Sequence, residues 1–280
     1  MAGPVISNVD ELLVGTLIIL GLAVAAIRSK SIDLSGAILG AIICFAAFLA
    51  GGFDWLLVII TFFVISSLFT RYRYDYKKKL GSAQEKGGVR SWPNTLANGL
   101  VAGLASIAEM VSHQDIFIIA FLAAVAAAMS DTIATEVGLL NGSKPRLIVN
   151  LKKFVEPGTS GGVSLLGELA GVASALGMSL LGISLKIING RFGIVLAGFL
   201  AVFLGALIAT NFDSLLGGTI QGVNRCQVCD EKTESLVHHG KPTLSMRGIR
   251  FLDNNAINLI ATIAAALLSI VLYLAFVSIS

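Results

Sequence analysis

Long apolar runs, separated by short polar stretches, recur from one end of the chain to the other. A hydrocarbon core about 30 Å thick is crossed by about 20 helical residues, with about 17–25 tolerated. Eight segments qualify on that scale: 11–28, 34–51, 53–70, 95–112, 115–140, 158–182, 192–221 and 255–278. The fifth and seventh are overlong, which predicts that each tilts, breaks or projects into water at its polar end. The first opens on Asp10 and Glu11, with no basic n-region and no small-residue cleavage site, and reads as a retained helix rather than a signal peptide. The expected fold class is all-α: a polytopic membrane helix bundle of about eight transmembrane helices, one membrane domain over residues 1–280.

Composition agrees. Hydrophobic residues make up 55% of the 280 and charged residues 13%, and the mean hydropathy is +0.86. A soluble domain of this length has no use for so much apolar surface. Of the 20 Lys and Arg, all but Lys186 and Arg191 fall in the connections after spans 1, 3, 5 and 7. Basic loops stay cytoplasmic, so both termini are expected to be extracytoplasmic in a multi-pass protein of the cell membrane. The net charge of +3 understates this one-sided face. It suits either anionic lipid head groups or a vestibule for a phosphorylated substrate; a nucleic acid is not an expected partner.

Polar residues inside the spans cluster near one end. Asp131 and Glu136 lie in FLAAVAAAMSDTIATEVG, Asp213 in LIATNFDSLLGGTIQ, Asn98 in TLANGLVAG, and Asn254, Asn255 and Asn258 in DNNAINLIATIAAALL. A charge in hydrocarbon is costly, so such residues usually mark a substrate or ion path. Asp131 follows Asp115 by sixteen residues, about 24 Å along a helix, which sets it near the cytoplasmic boundary of the core. The expected topology brings the other motifs to the same leaflet. Residues 86–280 therefore read as the motif-bearing part (spans 4–8 with a cytoplasmic loop 222–252), and residues 1–75 as scaffold. A carrier needs a site near mid-membrane reached from both faces. A site at one interface argues for an enzyme joining a cytosolic reagent to a lipid.

PGTSGGVSLLGELAG, residues 157–171, is the most chemically specific stretch. Thr159, Ser160, Gly161, Gly162 and Ser164 are expected to open the sixth helix as an anion cradle, with Lys152 and Lys153 just upstream. The alternative is close packing of two membrane helices on small residues. Glu168 is placed ten residues into that helix, about 15 Å deep. Asp131, Glu136 and Asp213 are hard-oxygen ligands suited to Mg2+; interhelical hydrogen bonding is the other reading. Asp131 and Glu136 stand about 140° apart on an ideal helix, so both face one ion only if the helix breaks between them. Lys86, Arg90, Asn94 and Asn98 form a basic, glycine-containing lead into the fourth span, where a lysine either neutralises a phosphate or sits in a solvated loop. Cys226 and Cys229, followed by His238 and His239, suit a structural Zn2+ or else a metal-free loop; a disulfide is not expected in a reducing compartment.

WPNTLANG (92–99), SDTIATEVG (130–138), PGTSGGVSLLGELAG (157–171), DSLLGGTIQ (213–221), CQVC…HHGKPT (226–243) and DNNAINL (253–259) together resemble one integral-membrane family. It includes plant phytyl-phosphate kinase of the vitamin E pathway and the animal transmembrane-protein-19 group. The D-T-x-A-x-x-x-G pattern from Asp131 to Gly138 also looks like that of CTP-dependent polyprenol kinases. His239 stands where prokaryotic relatives often carry Cys, and Asp253-Asn254-Asn255 departs from the usual Asn-Asp order. The resemblance implies nucleotide-dependent transfer of a phosphoryl group, from CTP or another nucleoside triphosphate, to an isoprenoid monophosphate, making the diphosphate; Mg2+, read from the carboxylates, is the expected cofactor. Asp131, Asp213 and Lys86 are the expected catalytic residues. Asn94, Asn98, Thr132, Glu136, Lys152, Lys153, Thr159 to Gly162, Ser164, Gln221, Lys241, Asn254 and Asn258 are the expected binding residues. A flippase for a polyprenyl phosphate and a lipid cytidylyltransferase are the competing readings.

Overall fold

The computed structural model describes residues 8–80, 85–190 and 192–279; the side chains of 85, 86 and 192 lie outside that description. Among the described residues, seven helices are long and apolar enough to cross a membrane. They are α1 (Val9–Arg28), α2 (Leu34–Arg71), α4 (Trp92–Ser112), α5 (Asp115–Gly138), α6 (Leu165–Ser184), α7 (Phe192–Thr219) and α8 (Asn254–Val277), with a short α3 (Tyr74–Lys79) after α2.

The second and third expected spans are both inside α2, whose 38 residues would extend about 57 Å if straight. They are not straight. Gly51 (φ −129°, ψ 16°) and Gly52 (φ 64°, ψ −151°) leave helical geometry, and the second conformation is open essentially to glycine alone. Beyond this kink the chain doubles back: Arg71 donates to the carbonyl of Ser29, and Phe63 packs on Ala26, Ile32 and Ala37. The two halves form a helical hairpin. The described helices thus make eight apolar passes, an even number that brings the start of α1 and the end of α8 to the same end of the bundle.

α5 is the central helix. It packs against α2, α4, α6, α7 and α8, and every residue from 119 to 130 is buried. Its run of alanines lets neighbours approach closely without a polar group at mid-depth. Gly167 and Gly171 of α6 lie on it, where a Cβ at Gly167 would stand 2.7 Å from the carbonyl oxygen of Ala134. Large apolar residues such as Leu17, Val111, Leu165, Leu267 and Val271 face outward, as lipid contact requires. The overlong expected spans resolve as single helices: α5 runs 24 residues and α7 runs 28.

Two connections at the basic end are not irregular loops. Between α5 and α6, β1 (Arg146–Leu147) pairs antiparallel with β2 (Asn150–Phe154) and with β3 (Gly162–Val163). Between α7 and α8, β4 (Val223–Arg225) pairs with β5 (Lys232–Thr233) and β8 (Leu244–Arg247), while β6 (Val237–His238) and β7 (Lys241–Pro242) form a separate hairpin.

Candidate functional site

A polar cavity of about 190 Å³ opens at the end of the bundle that carries these two connections. Each wall follows from a local rule. α4 begins after Ser91 with Pro93 in its first turn, and Asn94 and Asn98, one turn apart, share a face; the Asn98 amide donates to the Asn94 carbonyl at 2.9 Å. Asp131 and Thr132 come from the last turns of α5, Asp213 from those of α7, and Asn254 and Asn258 from the first turns of α8. With its amide nitrogen toward the carboxylate, Asn258 donates to Asp213 Oδ2 at 3.0 Å. Asp253 caps α8 by accepting from the Ala256 N–H at 2.9 Å. That occupies it structurally.

The glycine-rich loop closes one side. Gly161 has φ +78°, and a Cβ there would lie 2.3 Å from the Cα of Gly218, so the loop is pressed onto the end of α7. The expectation that this stretch opens the sixth helix is corrected. Gly162 and Val163 are strand, the Gly162 N–H donates to the Thr159 carbonyl at 2.8 Å, and the helix begins at Leu165 with Ser164 as its cap, accepting from the Gly167 N–H at 3.1 Å. Glu168 consequently stands in the first turn and lines the cavity, rather than lying ten residues deep.

Among the described residues, four carboxylates, on Asp131, Glu168, Asp213 and Glu234, line this one cavity with a single guanidinium, Arg90. None of the three ion pairs among the described residues involves Asp131, Glu168 or Asp213. Glu234 accepts from the Gln221 amide at 2.7 Å and from the Asn254 N–H, at the start of α8, at 2.8 Å. Like charges gathered away from water repel strongly and favour a bound cation. Arg90 is buried, with Phe62 and Phe63 against its guanidinium at 5.6 and 5.8 Å. Burial pulls its pKa down to about 10, which leaves it charged at neutral pH.

Arg90, Asn94 and Asn98 also belong to the wall of a second cavity, of about 410 Å³. This one is apolar and lies between α1, both halves of α2, and α4, with Ile19, Ala37, Ala41, Ile60, Phe63 and Ala102 among its lining. The first three spans, expected as scaffold, supply most of that wall.

The polar cavity brings together Asn94, Asn98, Asp131, Thr132, Thr159, Ser160, Gly161, Gly162, Ser164, Asp213, Gln221, Asn254 and Asn258 from the expected set. Four others are not there. Glu136, expected beside Asp131 at a metal, is buried against Lys77 of α3, Nζ to Oε2 2.6 Å; because α5 runs unbroken to Gly138, the 140° separation turns it away. Lys152 and Lys153 lie on β2 and Lys241 on β7, all exposed and away from the cavity wall. The side chain of Lys86 lies outside the described residues. Of the charged residues in this wall, sequence reasoning named Arg90 and Glu168 without a site role and missed Glu234.

On the α7–α8 connection, one ligand atom from each of Cys226, Cys229, His238 and His239 lies within 4.8 Å of the others. Backbone N–H groups of Cys229 and Val228 and a hydrogen bond from His238 pull the Cys226 thiol down to about 6, against the opposing effect of burial.

Fold and cavities define the class: an integral membrane bundle with a carboxylate-rich polar site at one end, joined to an apolar cavity between its helices. The chain belongs to the family described as integral membrane protein DUF92, whose model matches residues 17–266. It is 32% identical to the uncharacterized membrane protein MJ0933 of Methanocaldococcus jannaschii over 94% of each chain. It is 29% identical to protein PGR of Arabidopsis thaliana, over 89% of this chain and 91% of that one. Protein VTE6, chloroplastic, from the same plant is 28% identical over 63% of this chain and 54% of its own. No solved structure matches.

Proposed function

We propose that the protein is a membrane phosphotransferase that converts an isoprenoid monophosphate to its diphosphate, with CTP or another nucleoside triphosphate and Mg2+, at a site facing the cytoplasm. The observation that carries this reading is the junction of the two cavities at Arg90, Asn94 and Asn98. A lipid phosphate held there puts an apolar tail among α1, α2 and α4 and its head group among the carboxylates. The apolar cavity falls within the range of about 300–1,000 Å³ usual for small-molecule sites. The motif resemblance to the phytyl-phosphate kinase family supports the same chemistry, and the basic loops around the polar cavity support the cytoplasmic orientation.

Arg90 offers a planar fork suited to a phosphate. In the reaction, an oxygen of the lipid monophosphate attacks the γ-phosphorus of the nucleotide; a P–O bond forms, the bond to the β-phosphate oxygen breaks and the nucleoside diphosphate leaves. The attacking oxygen is already ionised, so the chain needs no general base; positioning and charge neutralisation carry the rate. Asp131 and Asp213 are the residues to hold Mg2+, with Glu168 and Glu234 within the same wall, and this all-oxygen donor set fits that ion. When bound, Mg2+ neutralises charge on the phosphates. Asn258 orients Asp213, and the Gly161 turn shapes the cavity wall.

The test uses the full chain in lipid nanodiscs with γ-labelled CTP or ATP and polyprenyl phosphates of several lengths. The expected result is Mg2+-dependent labelled diphosphate, lost in Asp131→Asn and Asp213→Asn variants of normal melting temperature. No diphosphate with any nucleotide or chain length refutes the proposal; movement of unaltered lipid phosphate across sealed vesicles would point to the carrier instead.

A further inference from the structure

We propose that Cys226, Cys229, His238 and His239 bind one zinc ion in tetrahedral geometry, and that this ion holds Glu234 in the polar cavity. Zinc binding is independent of the phosphotransferase reading; the link to Glu234 concerns the cavity alone.

Adjacent residues of a strand point to opposite faces, so neighbouring histidines do not ordinarily meet one ion. Here they do, for a local reason. His238 pairs with Lys241 across the β6–β7 hairpin, and the two residues between them, His239 and Gly240, have φ +51° and +72°. Two positive φ values in a two-residue connection make the tight hairpin turn that suits strand twist. A histidine in that conformation is uncommon. The turn swings its ring beside that of His238, centroid to centroid 4.3 Å.

The cysteine pair is shaped to match. Cys226 follows β4 directly, its N–H donates to the Glu231 carbonyl at 2.9 Å, and its carbonyl accepts from the Asp230 N–H at 3.1 Å, with Asp230 at φ +63°. This closes the Cys-x-x-Cys turn, and the Val228 N–H donates to Cys226 Sγ at 3.3 Å, as outer hydrogen bonds orient a ligating sulfur. Cys229 Sγ lies 3.6 Å from His238 Nδ1. Zinc bonds of about 2.3 Å to sulfur and 2.0–2.1 Å to nitrogen place tetrahedral ligands roughly 3.3–3.8 Å apart. The four atoms, all within 4.8 Å, need only a small contraction to reach that geometry.

Glu234 lies in the chain between the two ligand pairs. Its carbonyl accepts from the buried Asn224 amide at 3.1 Å, and its carboxylate accepts from Gln221 and from the first turn of α8. The strands that flank it are short and largely exposed, so an ion joining the residues before it to those after it restrains its position where local packing is thin.

The test measures zinc in the full-length protein purified from zinc-replete cells, then replaces it with cobalt. One zinc per chain is expected, with the visible absorption of tetrahedral thiolate-ligated cobalt, and at least a tenfold loss of zinc affinity in Cys226→Ser and His239→Ala. Hydrogen exchange reads the coupling. Chelation of the wild type is expected to raise exchange in loop 222–252 and at the Asn254 amide at least tenfold, and Glu234→Ala to raise it at Asn254 with zinc retained. Less than about a fifth of a zinc per chain, a Cys226–Cys229 disulfide in its place, or unchanged exchange at Asn254 after chelation overturns the proposal.

Discussion

Glu136→Gln separates a structural acid from a catalytic one. The Glu136 carboxylate meets Lys77 Nζ at 2.6 Å, and both side chains are within 2% of complete burial. Removing one partner of such a pair leaves an uncompensated charge and costs about 3–5 kcal/mol. Lys77 keeps two other acceptors, the carbonyls of Phe69 at 2.6 Å and Thr70 at 3.4 Å, and the glutamine oxygen remains available, so the lower end, about 3 kcal/mol, is expected. At about 2–4 °C per kcal/mol for a chain of this size, the midpoint of thermal unfolding falls by about 6–12 °C in detergent. Mg2+ affinity, read by titration below the melting range, changes less than about twofold. Lys77→Met with Glu136→Leu removes both charges and restores stability to at least near the wild-type value. An unchanged melting temperature with a tenfold or greater loss of Mg2+ affinity would refute this assignment and return Glu136 to the metal.

Three further outcomes follow from the same geometry. Gly161→Ala adds a Cβ 2.3 Å from Gly218 at a positive φ; it is expected to lower kcat/KM at least tenfold while costing about 1–3 kcal/mol of stability, measured by steady-state kinetics and thermal unfolding. Ala41→Phe fills part of the apolar cavity, so competition between prenyl phosphates should shift at least tenfold toward the shorter chain, with nucleotide KM unchanged. Arg90→Lys keeps the charge and loses the fork; the KM for lipid phosphate is expected to rise about tenfold or more, and unchanged kinetics would remove Arg90 from the site.

The positions of the helices were legible wherever apolar length alone decides them. The second and third spans were separable because Gly51-Gly52 stands between two runs each long enough to cross, although no polar loop marks the turn. The start of α6 was misplaced by seven residues because Gly-Thr-Ser-Gly-Gly reads equally as a helix lead or a strand approach; the pairing of Gly162 with Leu147 that decides it is a tertiary contact. Asp131 and Glu136 share a short motif, and their angular separation already warned that they diverge, but nothing in the sequence nominated Lys77 as the partner, 59 residues away. Lys152 and Lys153 were drawn in by charge, yet residues of a fully exposed strand have no wall to face. Glu234 carries no local signal: only the folding of the α7–α8 connection over the bundle end sets it among the other carboxylates.

That arrangement bears on why one opening suffices. Asp131, Glu168, Asp213 and Glu234 make the polar cavity hostile to a bare phosphate, while the neighbouring cavity, walled mainly by apolar side chains such as Ile, Ala and Phe, disfavours a charge away from its Arg71 and Arg90 edge. Arg90 lies where the two meet, desolvated against Phe62 and Phe63 and still protonated. On the proposed reading, a lipid phosphate is therefore stable at one depth: its tail cannot follow the head group into the carboxylates, and its head group cannot follow the tail between α1 and α2. A carrier requires the opposite, a head group equally comfortable along a path to the far face. In this bundle such a path would pass along α5 between residues 119 and 130, where every side chain is buried and only Ser130, its hydroxyl bonded to the Gly171 carbonyl, has a polar side-chain atom. On the proposed reading, the alanine-rich centre that lets five helices close around α5 is thus also the barrier that confines the chemistry to one side.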